Sequence, residues 1–159
     1  MVAGNGTVAA EVVADAPEVD TVVVAAGGGG LAAGSALAIG DRVLVAAEPE
    51  NCRAVHDAFA AGRPVDAPVD SIASSALGAT RMGRVPFEVL QSRHASGAVR
   101  SVLVSEADIV RAQERLWEEC RIATEPAAAV PLAAWLTGQV RGELPCLVVC
   151  GANADWTSR

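Results

Sequence analysis

Thr21-Val-Val-Val-Ala-Ala26 runs directly into Gly27-Gly-Gly-Gly30, and Leu31-Ala-Ala-Gly-Ser-Ala-Leu-Ala-Ile39 follows. The first six residues are, after Thr21, continuously apolar and rich in strand formers, the pattern of a strand covered on both faces. The last nine are small, mostly apolar and without alternation, and they predict a helix. Strand, oligoglycine turn and helix in that order open a parallel α/β sheet. Residues without a Cβ let the main chain approach an anion and turn its N–H groups toward it. The amino terminus of the next helix adds a positive field. Gly27 to Gly30 are therefore a candidate phosphate cradle.

The same alternation continues on both sides. Thr7 to Ala14 predict a helix capped by Asn5 or Thr7, with Glu11 in an early turn. Arg42 to Ala47 predict a second strand, and Asn51 to Ala60 a helix ended by Gly62 and Pro64. The stretch from Arg63 to Val85 has no sustained period and reads as a long structured connection. Beyond it come a short helix at Pro86 to Gln91, with His94 in a polar connection, and a strand at Val99 to Val104. Ser105 then caps a helix to Cys120, with Glu106 and Asp108 in its first turn. Glu125-Pro126 opens an alanine-rich helix to Leu136, in which Pro131 predicts a kink or break. Leu144 to Val149 form the last strand, and Cys150-Gly151-Ala152-Asn153 the turn beyond it. The expected fold is a three-layer αβα domain on a mostly parallel sheet. In such sheets ligands gather beyond the carboxyl ends of strands, which places the two turns at one crevice.

Composition narrows the functional classes. The chain has 159 residues, 52% of them hydrophobic, and a net charge of -7, which suits one folded domain. All 12 basic residues counted as Lys or Arg are arginine, and they are scattered, so a nucleic-acid footprint is not expected. Met1-Val-Ala-Gly-Asn-Gly6 has no basic or long apolar leader pattern, and no run reaches membrane-span length. A cytoplasmic protein is expected. Cys52, Cys120 and Cys146 read as packing thiols, and no zinc pattern accompanies them. Trp117 and Trp135 read as packing anchors and Trp156 as a cover for the terminal turn. His56 reads as a residue of a helix flank.

Gly4-Asn5-Gly6-Thr7 with Glu11, Gly27-Gly28-Gly29-Gly30-Leu31 with Gly34, Glu48-Pro49, Asp70-Ser71-Ile72-Ala73, Glu125-Pro126 and Cys150-Gly151-Ala152-Asn153 together resemble the carboxyl-terminal half of serine/threonine dehydratases. These are fold-type-II pyridoxal phosphate enzymes of the tryptophan-synthase-β-like superfamily. The resemblance covers Val2 to Asp155 and implies the large-domain fold of that group. It also implies that Gly27, Gly28, Gly29, Gly30 and Leu31 hold the phosphate of pyridoxal 5'-phosphate. Cys150, with Asn153 in the same turn, would face the pyridine nitrogen. Ser74 and Ser75 would line the ring near its phenolic oxygen, and Glu125 would face the active-site region. A neutral thiol against that nitrogen suits prompt loss of a β-substituent. The implied reaction is β-elimination of water from L-serine or L-threonine, giving a 2-oxo acid and ammonia.

The chain contains no lysine. The family tethers its cofactor through a lysine and uses that amine as the base at Cα, and no arginine or histidine can replace it. The expectation is therefore a single partial domain over residues 1–159, a carboxyl-terminal piece without catalytic residues of its own. It is expected to be inactive alone and not to retain the cofactor unaided. Its partners would be the missing amino-terminal half, or a second copy through the apolar surface that half would cover. Some relatives bind a divalent cation near the Glu-Pro turn; here only Glu48 and a carbonyl near Cys52 remain, with Ala54 where a carboxylate would fall, so no metal is assigned. Serine racemase, threonine synthase and cysteine synthase share the fold, and a non-catalytic interaction protein is the alternative of a different class.

Overall fold

The computed structural model describes residues 2–153. In chain order the elements are α1 Val2–Asp15, β1 Thr21–Ala25, α2 Gly30–Ala38, β2 Val43–Pro49, α3 Ala54–Ala61, α4 Ser74–Leu77, α5 Arg84–Ala95, β3 Val99–Val104, α6 Glu106–Cys120, α7 Pro126–Leu136 and β4 Pro145–Leu147. The strands form one 4-stranded sheet in the order β3-β2-β1-β4, and every pairing is parallel. Val23 pairs with Val45 on one side and Leu147 on the other, so β1 is central and wholly buried.

Successive strand residues face opposite layers. Val22, Val24, Leu44 and Ala46 pack under α1, α2, α3 and α5 through Ala9, Ala33, Ala36, Val55 and Leu90. Val23, Ala25, Val45 and Ala47 pack under α4, α6 and α7 through Leu77, Ile109, Ala112, Val130 and Ala133. The three-layer αβα architecture expected from the sequence is the one observed.

Several elements depart from the sequence expectation, each for a packing reason. Helix α1 begins at Val2, not Thr7, and takes in two glycines that are poor helix formers. Gly6 allows close crossing of α1 and α2, since a Cβ there would lie 2.9 Å from the carbonyl oxygen of Gly34, whereas a Cβ on Gly4 would meet open space. Asn5 and Thr7 are thus inside the helix and cap nothing, and the Thr7 hydroxyl donates back to the Gly4 carbonyl at 2.9 Å. Helix α5 runs on to Ala95 and includes His94. That ring stacks on Phe59 with centroids 4.0 Å apart, and its Nδ1 lies 3.0 Å from the Val99 carbonyl oxygen. Helix α7 continues through the buried Pro131 as one element. Strand β4 is shorter than expected, although the Val148 N–H still donates to the Val23 carbonyl at 2.9 Å.

The expected capping by Ser105 is present: its hydroxyl accepts from the Asp108 N–H at 3.2 Å while Asp108 accepts from the Ser105 N–H at 3.3 Å. The packing stripe of α6 is Ile109, Ala112 and Leu116, which leaves the adjacent Trp117 on the flank. Trp117 and Trp135 are 41% and 47% exposed and do not anchor the core, and Cys120 is also exposed. The Arg121 guanidinium lies over the Trp117 ring at 5.7 Å. Trp156 falls outside the described residues.

At the opposite end of the sheet, the Arg42 guanidinium donates to the carbonyls of Val19 at 2.7 Å, Ile39 at 3.1 Å and Pro17 at 2.6 Å. One side chain thereby joins the α1–β1 connection to the end of α2. No described helix is long and apolar enough to cross a membrane.

Candidate functional site

The sheet order fixes the site. From β1 the chain moves to β2 on one side, and β4 returns to β1 on the other, so connections diverge at the carboxyl ends of β1 and β4. Divergence of this kind opens a crevice where ligands bind in open parallel sheets. The crevice is present, with a volume of about 400 Å³, and Gly27 to Leu31 line it together with Cys150 and Gly151. The two turns singled out from the sequence meet there. Ala26, Leu77 and Glu125 contribute further wall.

The glycine turn is shaped by close contacts. A Cβ on Gly27 would sit 3.0 Å from the Leu77 Cα, and one on Gly29 would meet Met82 Cε and Pro86 Cβ, both at 3.1 Å. Gly29 also has φ 86, the left-handed region that favours glycine, and it forms the N-cap of α2. The Gly28 carbonyl accepts from the Gly83 N–H at 3.1 Å, which ties down the acceptor side of the turn. Among the described residues, no main-chain or side-chain acceptor takes the N–H groups of Gly27, Gly28, Gly29, Gly30 or Leu31. Unpaired N–H donors at a helix amino terminus are the requirement of a phosphate site, and these residues fit one.

Cys150 lies at the other strand end, exposed and lining the crevice. Partial desolvation, with the Glu125 charge adding to it, raises its thiol above the usual range, so it stays neutral near pH 7. The Glu125 N–H donates to the Gly151 carbonyl at 3.2 Å and joins this turn to the start of α7. Gly151 has φ 109, and a Cβ there would collide with the Glu125 carboxylate.

Ser75 and Asn153 stand apart from this group. Ser75 is exposed on α4, beside the lining residues Ala76 and Leu77, and Asn153 is exposed beyond Gly151. One residue near the turn escaped its sequence role: the Asn5 amide reaches Gly30, where a Cβ would lie 3.3 Å from its Nδ2. Its place before Gly6 suggested a cap, and only the α1–α2 crossing reveals the contact.

Glu48 is fully buried at the carboxyl end of β2, and its two oxygens each accept an N–H, from Val55 and His56, both at 2.8 Å. Burial pushes its carboxyl up to about 8 against the pull of those donors. His56 sits on the flank of α3 with Nδ1 3.0 Å from the Ser101 hydroxyl. Glu48 is therefore committed to the first turn of α3.

The sequence profile described as pyridoxal-phosphate dependent enzyme matches residues 1–151. The chain belongs to this family. Among curated relatives, the β-hydroxyaspartate dehydratase of Paracoccus denitrificans is 33% identical over 98% of this chain and 50% of its own length. The biosynthetic L-threonine dehydratase of Salmonella typhimurium is 31% identical, over 98% of this chain and 31% of the relative. In structure, the T.th. threonine deaminase superposes with a TM-score of 0.88 at 29% identity, over 98% of this chain and 59% of the other. Maize serine racemase gives 0.87 at 30% identity, over 97% and 49%. This member of the pyridoxal-phosphate dependent enzymes spans half or less of those two curated relatives.

Proposed function

We infer that the chain is the carboxyl-terminal, cofactor-holding portion of a pyridoxal phosphate-dependent threonine/serine dehydratase, an ammonia-lyase. The observation that carries this is the meeting of the glycine turn and the Cys150 turn at one crevice, with unpaired N–H donors on one wall and a neutral thiol on the other. Family membership and likeness to dehydratases support it.

In this function the N–H groups of Gly27 to Leu31 bind the phosphate, helped by the positive end of α2. The Cys150 thiol would face the pyridine nitrogen as a neutral partner. Leu77 and Ala26 exclude water from part of the crevice. Bound pyridoxal phosphate supplies the electron sink for β-elimination of water from the amino acid. Ser75 on α4, beside the lining residues Ala76 and Leu77, and Asn153 beyond Gly151 would flank the ring. The tethering amine, which also moves the Cα proton, has to come from a lysine outside these 159 residues.

The test has two arms. The purified chain, supplied with pyridoxal phosphate and L-threonine or L-serine, is expected to form no 2-oxo acid. A lysine-bearing amino-terminal half added as a second polypeptide is expected to restore it. Robust 2-oxo acid formation by the chain alone would overturn the assignment, as would no saturable binding of pyridoxal phosphate by the combined halves.

A further inference from the structure

The connection between α3 and α5 is built as a closed loop. At its neck the Ala67 N–H donates to the Thr80 carbonyl at 2.9 Å, and Asp66 bridges Arg81 in antiparallel fashion with a 2.8 Å ion pair. Ala67 to Thr80 fall within the length of an Ω-loop, about 6–16 residues, and like such loops the head packs on itself. A Cβ on Gly78 would lie 3.1 Å from Val69 Cγ1, and the Ala73 N–H donates to the Ser71 hydroxyl at 3.1 Å. This head carries α4, and with it Ala76 and Leu77 of the crevice wall. Leu77 and Ala79 are the nearest neighbours that a Cβ on Gly27 and on Gly28 would meet, so the loop backs the glycine turn.

Asp70 and Ile72 tie the head to the rest of the domain. The Asp70 N–H donates to the Asn51 carbonyl at 3.0 Å, and the Ile72 N–H donates at 3.0 Å to Oε2 of Glu106, in the first turn of α6. The second bond is charge-assisted and of the stronger kind. Glu106 Oε1 is buried beside it, with no hydrogen-bond partner among the described residues. A half-satisfied carboxylate regains water when the head lifts, so the bond that closes the loop works against a pull toward opening. Cys52 lies at the same junction. It is 1% exposed, and burial raises its thiol above the usual range, with the Glu106 and Asp70 charges adding to the effect.

We propose that the loop from Ala67 to Thr80 is a gate over the ligand crevice and that Glu106 is its latch, a positioning residue that holds α4 against the glycine turn. Lifting the head moves the wall formed by Ala76 and Leu77 away and admits a ligand. Reclosing presses Leu77 back on Gly27. A ligand held at the glycine turn favours the closed loop through its contacts with that wall. The coupling to ligand rests on the phosphate assignment, whereas the latch is testable without any ligand.

Cys52 reports the gate. Its rate of alkylation by N-ethylmaleimide is followed with peptide mass spectrometry, with the exposed Cys120 as reference thiol. Glu106→Ala and Glu106→Gln both remove the charge acting on Cys52, but the glutamine keeps an acceptor for the Ile72 N–H. Relative to Cys120, Cys52 is expected to react about tenfold faster in Glu106→Ala than in Glu106→Gln. Amide exchange should quicken over residues 67–80 in the alanine variant and stay unchanged in β1 and β2. Equal Cys52 rates in the two folded variants would overturn the latch. A wild-type measurement stands even if a variant does not fold. Below the unfolding transition the Cys52 rate should be nearly independent of urea, as for local opening, and a rate that climbs with the slope of global unfolding would overturn the gate. Inorganic phosphate separates the two assignments. At saturation it should slow the wild-type Cys52 reaction about threefold, and bound phosphate with an unchanged rate would overturn the gating role. Absent phosphate binding with the difference between the two variants preserved leaves the latch standing and removes only the glycine-turn assignment.

Discussion

Two buried glutamates lie within reach of strand carboxyl ends, and they are treated in opposite ways. Glu48 is sealed, with one N–H on each oxygen, and nothing about it faces the crevice. Glu125 is almost as buried but lines the crevice without a partner. A carboxylate whose acceptor capacity is filled by its own fold is part of the scaffold. One whose capacity is left open toward a cavity is available to whatever enters it.

The largest effect expected from breaking this contrast is at Glu48. Glu48→Ala strands one buried and one half-buried N–H group at the start of α3 and should destabilise the chain by about 3 kcal/mol, read as a lower urea midpoint at unchanged slope. The pH profile sharpens the point. The folded carboxyl titrates near 8 against an ordinary value of 4.5, so between those values the folded state binds the extra proton. Stability should therefore be full below about pH 4.5 and fall as pH rises toward 8, by up to roughly 1.4 kcal/mol per pH unit at the steepest. Denaturation midpoints across this window check it, and Glu48→Gln should flatten the slope.

Within the glycine turn the effects are smaller. Gly27→Ala meets the Leu77 main chain and should cost about 1–2 kcal/mol, whereas Gly28→Ala, whose nearest neighbour is the Ala79 Cβ at 3.7 Å, should cost less than about 0.5 kcal/mol. Equal losses would show that the turn yields as a unit. The smallest effect is expected at Glu125→Gln, within about 0.5 kcal/mol of wild type or slightly stabilising. A loss as large as that at Glu48 would erase the distinction.

The strand at Val99–Val104, the capped helix after Ser105 and the strand–glycine–helix unit were all legible, because alternating periods and caps are local properties of the chain. So was the crevice, since both turns follow apolar strands. What escaped was set by contacts distant in sequence. Gly6 inside α1 looks like a helix breaker until Gly34 is placed against it. Trp117 and Trp135 look like core residues until the stripe chosen by the sheet is known. The divergent duties of Glu48 and Glu125 have no local signature, for each is simply Glu before Pro.

The three-carbonyl fork of Arg42 has its own consequence for how the domain breathes. By pinning Pro17, Val19 and Ile39 together it locks the rear of the sheet, the side away from the ligand crevice. Amide exchange should accordingly be slow around that arginine and faster along the rim formed by the terminal turn. Arg42→Lys, which removes the planar fork, should speed exchange in that region.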